Sequence, residues 1–127
     1  MRRKSLSGLR KRFLKSRARK IKEEDRLLRE YVKEISGRYP KSAILLFGSR
    51  ARGDHLPYSD YDVAVVLEKI EDKLALIEEL RRLKPRGLPL DLLVFQVDEL
   101  SDPLISGMLK KCRVLYDGLG ILSHFTP

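Results

Sequence analysis

Three short segments rich in large apolar residues constrain the fold of this chain more than any other feature. They cover residues 42–47, 61–67 and 90–96, and apolar residues occupy both of their faces. A strand that is apolar on both faces must be covered on both sides, so these segments predict buried strands. Helical periodicity at residues 22–35 and 72–83 separates them from one another and from the N-terminus. The pattern predicts an α/β fold, a small mixed β-sheet covered by helices.

Local signals place the ends of these elements. We expect the first helix to carry its acidic residues 23–25 in its first turn and to end at Gly37 in a left-handed cap, shortly before Pro40. The segment at 98–111 predicts one or two short helices around Pro103, and residues 113–116 predict a small edge strand. In the helix at 72–83 we expect the inward face to consist of Leu74, Ile77, Leu80 and Leu83.

The net positive charge of the chain comes from its first twenty residues. The net charge is +9, but residues 1–20 contain ten Lys or Arg and no acid, so the remainder, with seventeen bases and eighteen acids, has a net charge of 17 − 18 = −1. A length of 127 residues fits one domain with one core. We therefore divide the chain into a basic N-terminal segment (1–20, helical or mobile), a core domain (21–118) and a C-terminal tail (119–127).

Three interpretations of the basic segment remain open. It is a solvated terminus, a surface that binds nucleic acid or an acidic partner, or a transit peptide, which its composition also resembles. We favour the solvated terminus, because runs of charge usually serve solubility.

The rest of the composition excludes several classes of protein. The single cysteine, Cys112, cannot form an internal disulfide, and no apolar run approaches the length of a membrane span. We expect a cytoplasmic protein that does not bind membranes. The chain contains no Asn and one Gln beside many Lys, Arg and Glu, which is typical of a heat-adapted organism.

A cluster of glycine, hydroxyl and arginine residues follows the first apolar strand. Its members are Gly48, Ser49, Arg52 and Gly53. Glycine allows the backbone to approach a ligand closely, and backbone N–H groups, a hydroxyl and a guanidinium can converge on an anion. The cluster fits a phosphate-binding turn, and equally well a strand-to-helix turn with exposed arginines.

Three acids stand at the beginnings of the other two apolar strands. Asp60 and Asp62 are two residues apart, so they share one face of a strand, and Asp91 lies near the beginning of the third strand. Carboxylates on one face repel one another unless a cation or a proton relieves them. Mg²⁺ suits such a site, because it takes a few carboxylates and completes its shell with phosphate oxygens and water. A solvated strand end is the alternative.

Together these motifs resemble the DNA polymerase β-like nucleotidyltransferase superfamily, and within it the minimal nucleotidyltransferases. The resemblance rests on G-S-x-A-R-G at 48–53, S-D-x-D at 59–62 and the later lone Asp91. It implies the nucleotidyltransferase fold, ATP as substrate and two Mg²⁺ ions as cofactors. It also implies that Asp60, Asp62 and Asp91 bind the metal and act in catalysis, and that the residues of the glycine cluster hold the nucleotide.

The same resemblance suggests an acceptor. Minimal members of the superfamily pair with a small helical partner of the HEPN type, often as an antitoxin that adenylylates a toxic ribonuclease. We therefore expect AMP transfer from ATP to a hydroxyl of such a partner. Two alternatives remain: an antitoxin that binds nucleotide without turnover, and a module that binds nucleic acid through residues 1–20.

Overall fold

The computed structural model describes residues 6–53 and 60–121. In chain order the elements are α1 (Leu6–Arg38), β1 (Ser42–Phe47), α2 (Gly48–Arg52), β2 (Tyr61–Leu67), α3 (Lys73–Arg82), β3 (Leu90–Gln96), a 3-10 helix (Val97–Ser101), α4 (Pro103–Met108) and β4 (Arg113–Asp117). In this part of the chain, no helix is long and apolar enough to span a membrane.

The strands of the described residues form one mixed sheet in the order β3-β2-β1-β4. Strand β1 is antiparallel to both of its neighbours, β2 and β4, whereas β2 and β3 run parallel. The connection from β2 to β3 therefore needs a crossover, and α3 provides it. The predicted α/β class, the mixed sheet and the edge position of the last strand are confirmed.

Helices cover the two faces of the sheet and enclose two core clusters. Buried residues of α1 and α3, including Tyr31, Ile35 and Leu80, pack on one face. The other face is apolar around Leu45 and Phe95, and the segments after β3 pack there. Burial on both faces explains why the strands read as apolar runs without alternation.

Helix α1 differs from the prediction at both ends. Its described part begins at Leu6, so it crosses the boundary that we place after residue 20, and the acidic residues 23–25 lie in its middle instead of in a first turn. The predicted left-handed cap at Gly37 is also wrong, because Gly37 has no positive φ. Instead the backbone N–H of Tyr39 donates to the carbonyl of Ile35 at 2.7 Å, which closes the last turn with helical geometry.

The predicted inward face of helix α3 is confirmed at Ile77, Leu80 and Leu83, which pack in the first core cluster, and is wrong at Leu74. Leu74 is 74% exposed, whereas Leu76 and Leu80 are buried. The side chain of Asp72 accepts the N–H of Ala75 and caps the helix, and the buried pair Leu76 and Leu80, four residues apart, faces the sheet. Leu74 lies about 200° around the helix from Leu76 and so points to solvent.

The tail that we assign to residues 119–127 is described only as far as residue 121. Leu119 and Ile121 pack against the second core cluster, and the N–H of Ile121 donates to an Asp117 carboxylate oxygen at 3.0 Å. Residues 122–127 lie outside the described part of the chain, as do residues 1–5 of the basic segment.

Candidate active site

The glycine cluster and the acids meet at one end of the sheet. Because β1 and β2 are antiparallel, the end of β1 lies beside the beginning of β2, and Phe47 pairs with Asp62. Because β2 and β3 are parallel, their beginnings are adjacent, and Asp62 pairs directly with Asp91. Sheet topology therefore brings residues 48, 62 and 91 together, although more than forty positions of sequence separate the first from the last.

Gly48 touches the carboxylate of Asp62. A Cβ atom added to Gly48 would lie 2.1 Å from Oδ2 of Asp62, and the φ angle of Gly48 is +72°. Both the space and the left-handed backbone therefore favour glycine at this position. The turn after β1 and the acid of β2 form one packed unit.

The turn itself is the short helix α2. It ends in Gly53, whose φ is +81° and whose N–H donates to the Ser49 carbonyl at 2.9 Å. Ser49 is partly buried and Arg52 is exposed. The predicted strand-to-helix turn is present, and its four predicted nucleotide-binding residues, Gly48, Ser49, Arg52 and Gly53, occupy this one segment.

Asp62 is the electrostatic centre of the acids. Partial burial raises the pKa of its carboxyl group most, and the negative charges of Asp91 and Asp60 raise that pKa further, while the charge of Arg52 lowers it. Asp60 and Asp91 are themselves exposed. Asp60, Asp91 and Arg52 therefore all lie within electrostatic reach of Asp62.

The acids fit a divalent cation in chemistry but are not assembled into a cage. Within residues 6–53 and 60–121, no group of three or more potential ligand side chains is arranged to hold a metal ion. The repulsion that raises the pKa of Asp62 is the kind that a cation relieves. Mg²⁺ would need only one or two of these carboxylates if phosphate and water supplied the rest. The metal-binding role of Asp60, Asp62 and Asp91 stays a prediction, and Ser59 of the motif lies outside the described residues.

A buried cluster behind the acids was not foreseen from the sequence. The guanidinium of Arg50 lies 3.4 Å from a carboxylate oxygen of Glu24 and 4.0 Å from the centre of the Tyr61 ring. The hydroxyl of Tyr61 donates to the carboxylate of Asp25, and burial, followed by this hydrogen bond, raises the pKa of Tyr61. The four residues, which we term the Arg50 cluster, join α1, α2 and β2. The sequence feature that could have indicated this cluster is the adjacent pair Glu24 and Asp25, which we attributed to the start of a helix.

Comparison with known proteins decides the family. A family model described as "Nucleotidyltransferase domain" matches residues 25–116 of the chain. The chain belongs to this family. As a nucleotidyltransferase it is an enzyme of a family that generally uses a nucleoside triphosphate and a divalent metal. The match includes every predicted site residue and begins after the basic half of α1.

Two similar proteins are consistent with this assignment. The chain is 32% identical over 65 residues to "Putative protein adenylyltransferase MJ1215" of Methanocaldococcus jannaschii, over 51% of this chain and 76% of that protein. A crystal structure described as "a putative nucleotidyltransferase from Sulfolobus solfataricus" superimposes with a TM-score of 0.59 and 27% identity, covering 82% of this chain and 86% of the other. The nucleotidyltransferase fold is thus confirmed.

Proposed function

We propose that this nucleotidyltransferase transfers AMP from ATP, in a Mg²⁺-dependent reaction that releases pyrophosphate, to a hydroxyl group of a small helical partner protein of the HEPN type. The observation that carries the proposal is the packing of the Asp62 carboxylate against Gly48, beside its strand neighbour Asp91. This contact joins the turn suited to phosphates with the acids suited to a cation. A structural turn with solvated acids would not require such an approach.

The roles of the residues follow from their positions. Ser49 and Arg52 would bind the triphosphate through a hydroxyl and a guanidinium, and Gly48 and Gly53 would allow its close approach. Asp60, Asp62 and Asp91 would hold Mg²⁺, which neutralises phosphate charge and activates an acceptor oxygen when bound. Asp91, which is exposed and pairs with Asp62 across the sheet, would accept a proton from the acceptor hydroxyl. Fixed geometry and charge then supply most of the catalysis.

The acceptor is proposed from similarity and from size. The similar protein of M. jannaschii is named as a protein adenylyltransferase, which supports a protein hydroxyl as the acceptor. The sheet and its helices occupy most of the described chain and leave no second lobe within it that could bind an acceptor. A partner protein would supply that surface and its own hydroxyl group.

Labelling from ATP that carries a radioactive α-phosphate tests this function. We expect a small helical protein that co-purifies with this chain to become labelled in the presence of Mg²⁺, and labelling to stop with Asp60→Ala combined with Asp62→Ala. The matched control replaces two other exposed acids, Glu68→Ala with Glu71→Ala, and should label normally. Labelling that survives in the first variant would refute the proposal. Binding of the partner without labelling would favour the antitoxin that acts without turnover.

One observation favours a second candidate, the binding of nucleic acid. The basic segment belongs to α1, and α1 passes the site at Glu24, so its positive charges begin beside the candidate active site. Lys15, Arg19 and Lys20 are exposed along the basic part of α1. Changing these three residues to Gln should weaken the binding of a labelled single-stranded RNA and lower its salt dependence by about 0.7 in logarithmic slope for each lost phosphate contact. Unchanged affinity and slope would exclude this candidate.

A further inference from the structure

The Arg50 cluster is buried to a degree that is unusual for charged residues. Arg50 is 6% exposed and Glu24 is 5% exposed. Charged side chains are seldom buried without a partner, and here the arginine has both a carboxylate and an aromatic ring. Replacing a buried ion pair with well-packed apolar residues is often neutral or stabilising, so stability alone does not explain why the pair is present.

The Arg50 cluster includes a residue from each part of the candidate site, the turn and the strand that carries the acids. Arg50 lies in the turn between Ser49 and Arg52, and Tyr61 lies in the strand between Asp60 and Asp62. Successive side chains of a strand point to opposite faces, so Tyr61 points away from the two acids. It packs in the core cluster that includes α1, whereas Ala64 and Val66, which share the face of Asp62, pack in the other.

The turn needs support of this kind. Helix α2 has only five residues, and a helix of that length is not stable without tertiary contacts. Gly48 lies against Asp62, Ala51 packs on the first core cluster, and Arg50 provides a polar contact to α1. Loss of the contact of Arg50 with Glu24 would remove the ion pair that fixes the turn to α1.

We propose that Arg50, Glu24, Asp25 and Tyr61 position the phosphate-binding turn relative to Asp62, and that Arg50 is a positioning residue instead of a phosphate ligand. The inference rests on the proposed function, because it assumes that the nucleotide binds at this turn. It assigns different tasks to the two arginines of one motif: Arg52 faces the acids and the nucleotide, and Arg50 fixes the turn that carries Arg52.

The variant Glu24→Gln tests this inference, because loss of positioning and loss of charge predict opposite changes in the affinity for ATP. Removing a negative charge near an ATP site would, by charge alone, tighten the binding of ATP. Loss of positioning weakens it, and we expect the Kd of ATP with Mg²⁺, measured by calorimetry well below the melting temperature, to rise about tenfold. The matched control Glu30→Gln removes an exposed acid of the same helix and should leave the Kd within about twofold. A merely stabilising cluster would lower the melting temperature and leave the Kd unchanged, which would overturn the inference.

A second variant and a second measurement keep the two proposals separate. If Glu24→Gln does not fold, Glu24→Met combined with Arg50→Met replaces the ion pair with apolar side chains of similar volume, and the same rise in Kd is expected. If the wild-type protein does not bind ATP, the proposed function fails. The inference is then decided by the backbone amide NMR signals of Ser49, Gly53 and Asp62 in the protein without ATP. These signals should shift in Glu24→Gln, or in the double Met variant if that one is used. They should not shift in Glu30→Gln. Unshifted signals in the first variant would overturn the inference.

Discussion

The contact between Gly48 and Asp62 allows a quantitative test of the site. In Gly48→Ala the new methyl group would lie 2.1 Å from a carboxylate oxygen, at a φ of +72°. The left-handed backbone costs a non-glycine residue about 1–2 kcal/mol. The carboxylate lies at the end of a short side chain and can rotate away, at a further cost of about 0.5–1.5 kcal/mol for a strained rotamer. We expect a total loss of about 1.5–3.5 kcal/mol in the free energy of unfolding, measured by urea denaturation.

Gly53 provides the matched control for the backbone contribution. Its φ is +81°, but an added Cβ would meet nothing within 4 Å. Gly53→Ala should therefore cost only about 1–2 kcal/mol. A cost for Gly48→Ala no greater than that for Gly53→Ala would refute the reasoning about the contact.

A double-mutant cycle isolates the contact itself. In the background of Asp62→Ala no carboxylate opposes the new methyl group, so Gly48→Ala should cost no more than Gly53→Ala does in the wild-type protein. The coupling between positions 48 and 62 should then equal the rotamer contribution, about 0.5–1.5 kcal/mol. Additive effects would mean that Asp62 does not lie against Gly48 in solution. Gly48→Ala should also abolish the labelling of the partner, because it displaces the acid.

Three further predictions concern stability. The raised pKa of Asp62 means that its charged form destabilises the fold at neutral pH, so Asp62→Asn should raise the melting temperature at pH 7 without Mg²⁺. This gain should shrink as the pH falls through the raised pKa and vanish below the ordinary aspartate range, and the exposed control Glu71→Gln should show no such gain. Gly37→Ala should raise the free energy of unfolding in urea by about 0.5–1 kcal/mol, because Gly37 lies within α1 with open space around it. A lower free energy of unfolding would contradict the absence of a left-handed cap. Tyr31→Phe should cost about 1–3 kcal/mol by the same method, because it removes a 2.6 Å hydrogen bond to the buried Leu80 carbonyl; an unchanged midpoint would contradict that bond.

The strands could be predicted from the sequence and the helix faces only in part. Residues 42–47, 61–67 and 90–96 match β1, β2 and β3, because long apolar runs have few alternatives to a buried strand. The inward face of α3 was predicted correctly at Leu80 but not at Leu74, which is exposed. Apolar residues at 74, 76 and 77 offer two overlapping stripes, and the position of the sheet selects between them.

A helix within residues 1–20 was one of the predicted possibilities, but the sequence did not show that it continues into the next helix as one element, α1. Lys, Arg and Glu all favour helix, so the change in charge near residue 20 does not end one. The pairing of Asp62 with Asp91 was likewise out of reach. The sequence indicates that each acid stands near the beginning of a strand, but only the parallel arrangement of β2 and β3 makes them neighbours.

The G-S-x-A-R-G motif does not indicate which of its two arginines faces the protein. Arg50 and Arg52 are two positions apart, and in a helical turn such residues point in directions about 200° apart, so they cannot both face one ligand. Helical periodicity therefore requires one of them to face the protein, but it does not say which. That choice depends on α1, because Glu24 is the only acid of the described chain that forms a buried ion pair with this turn. The acid in the middle of the first helix thus draws Arg50 toward the protein, whereas Arg52 lies within electrostatic reach of Asp62.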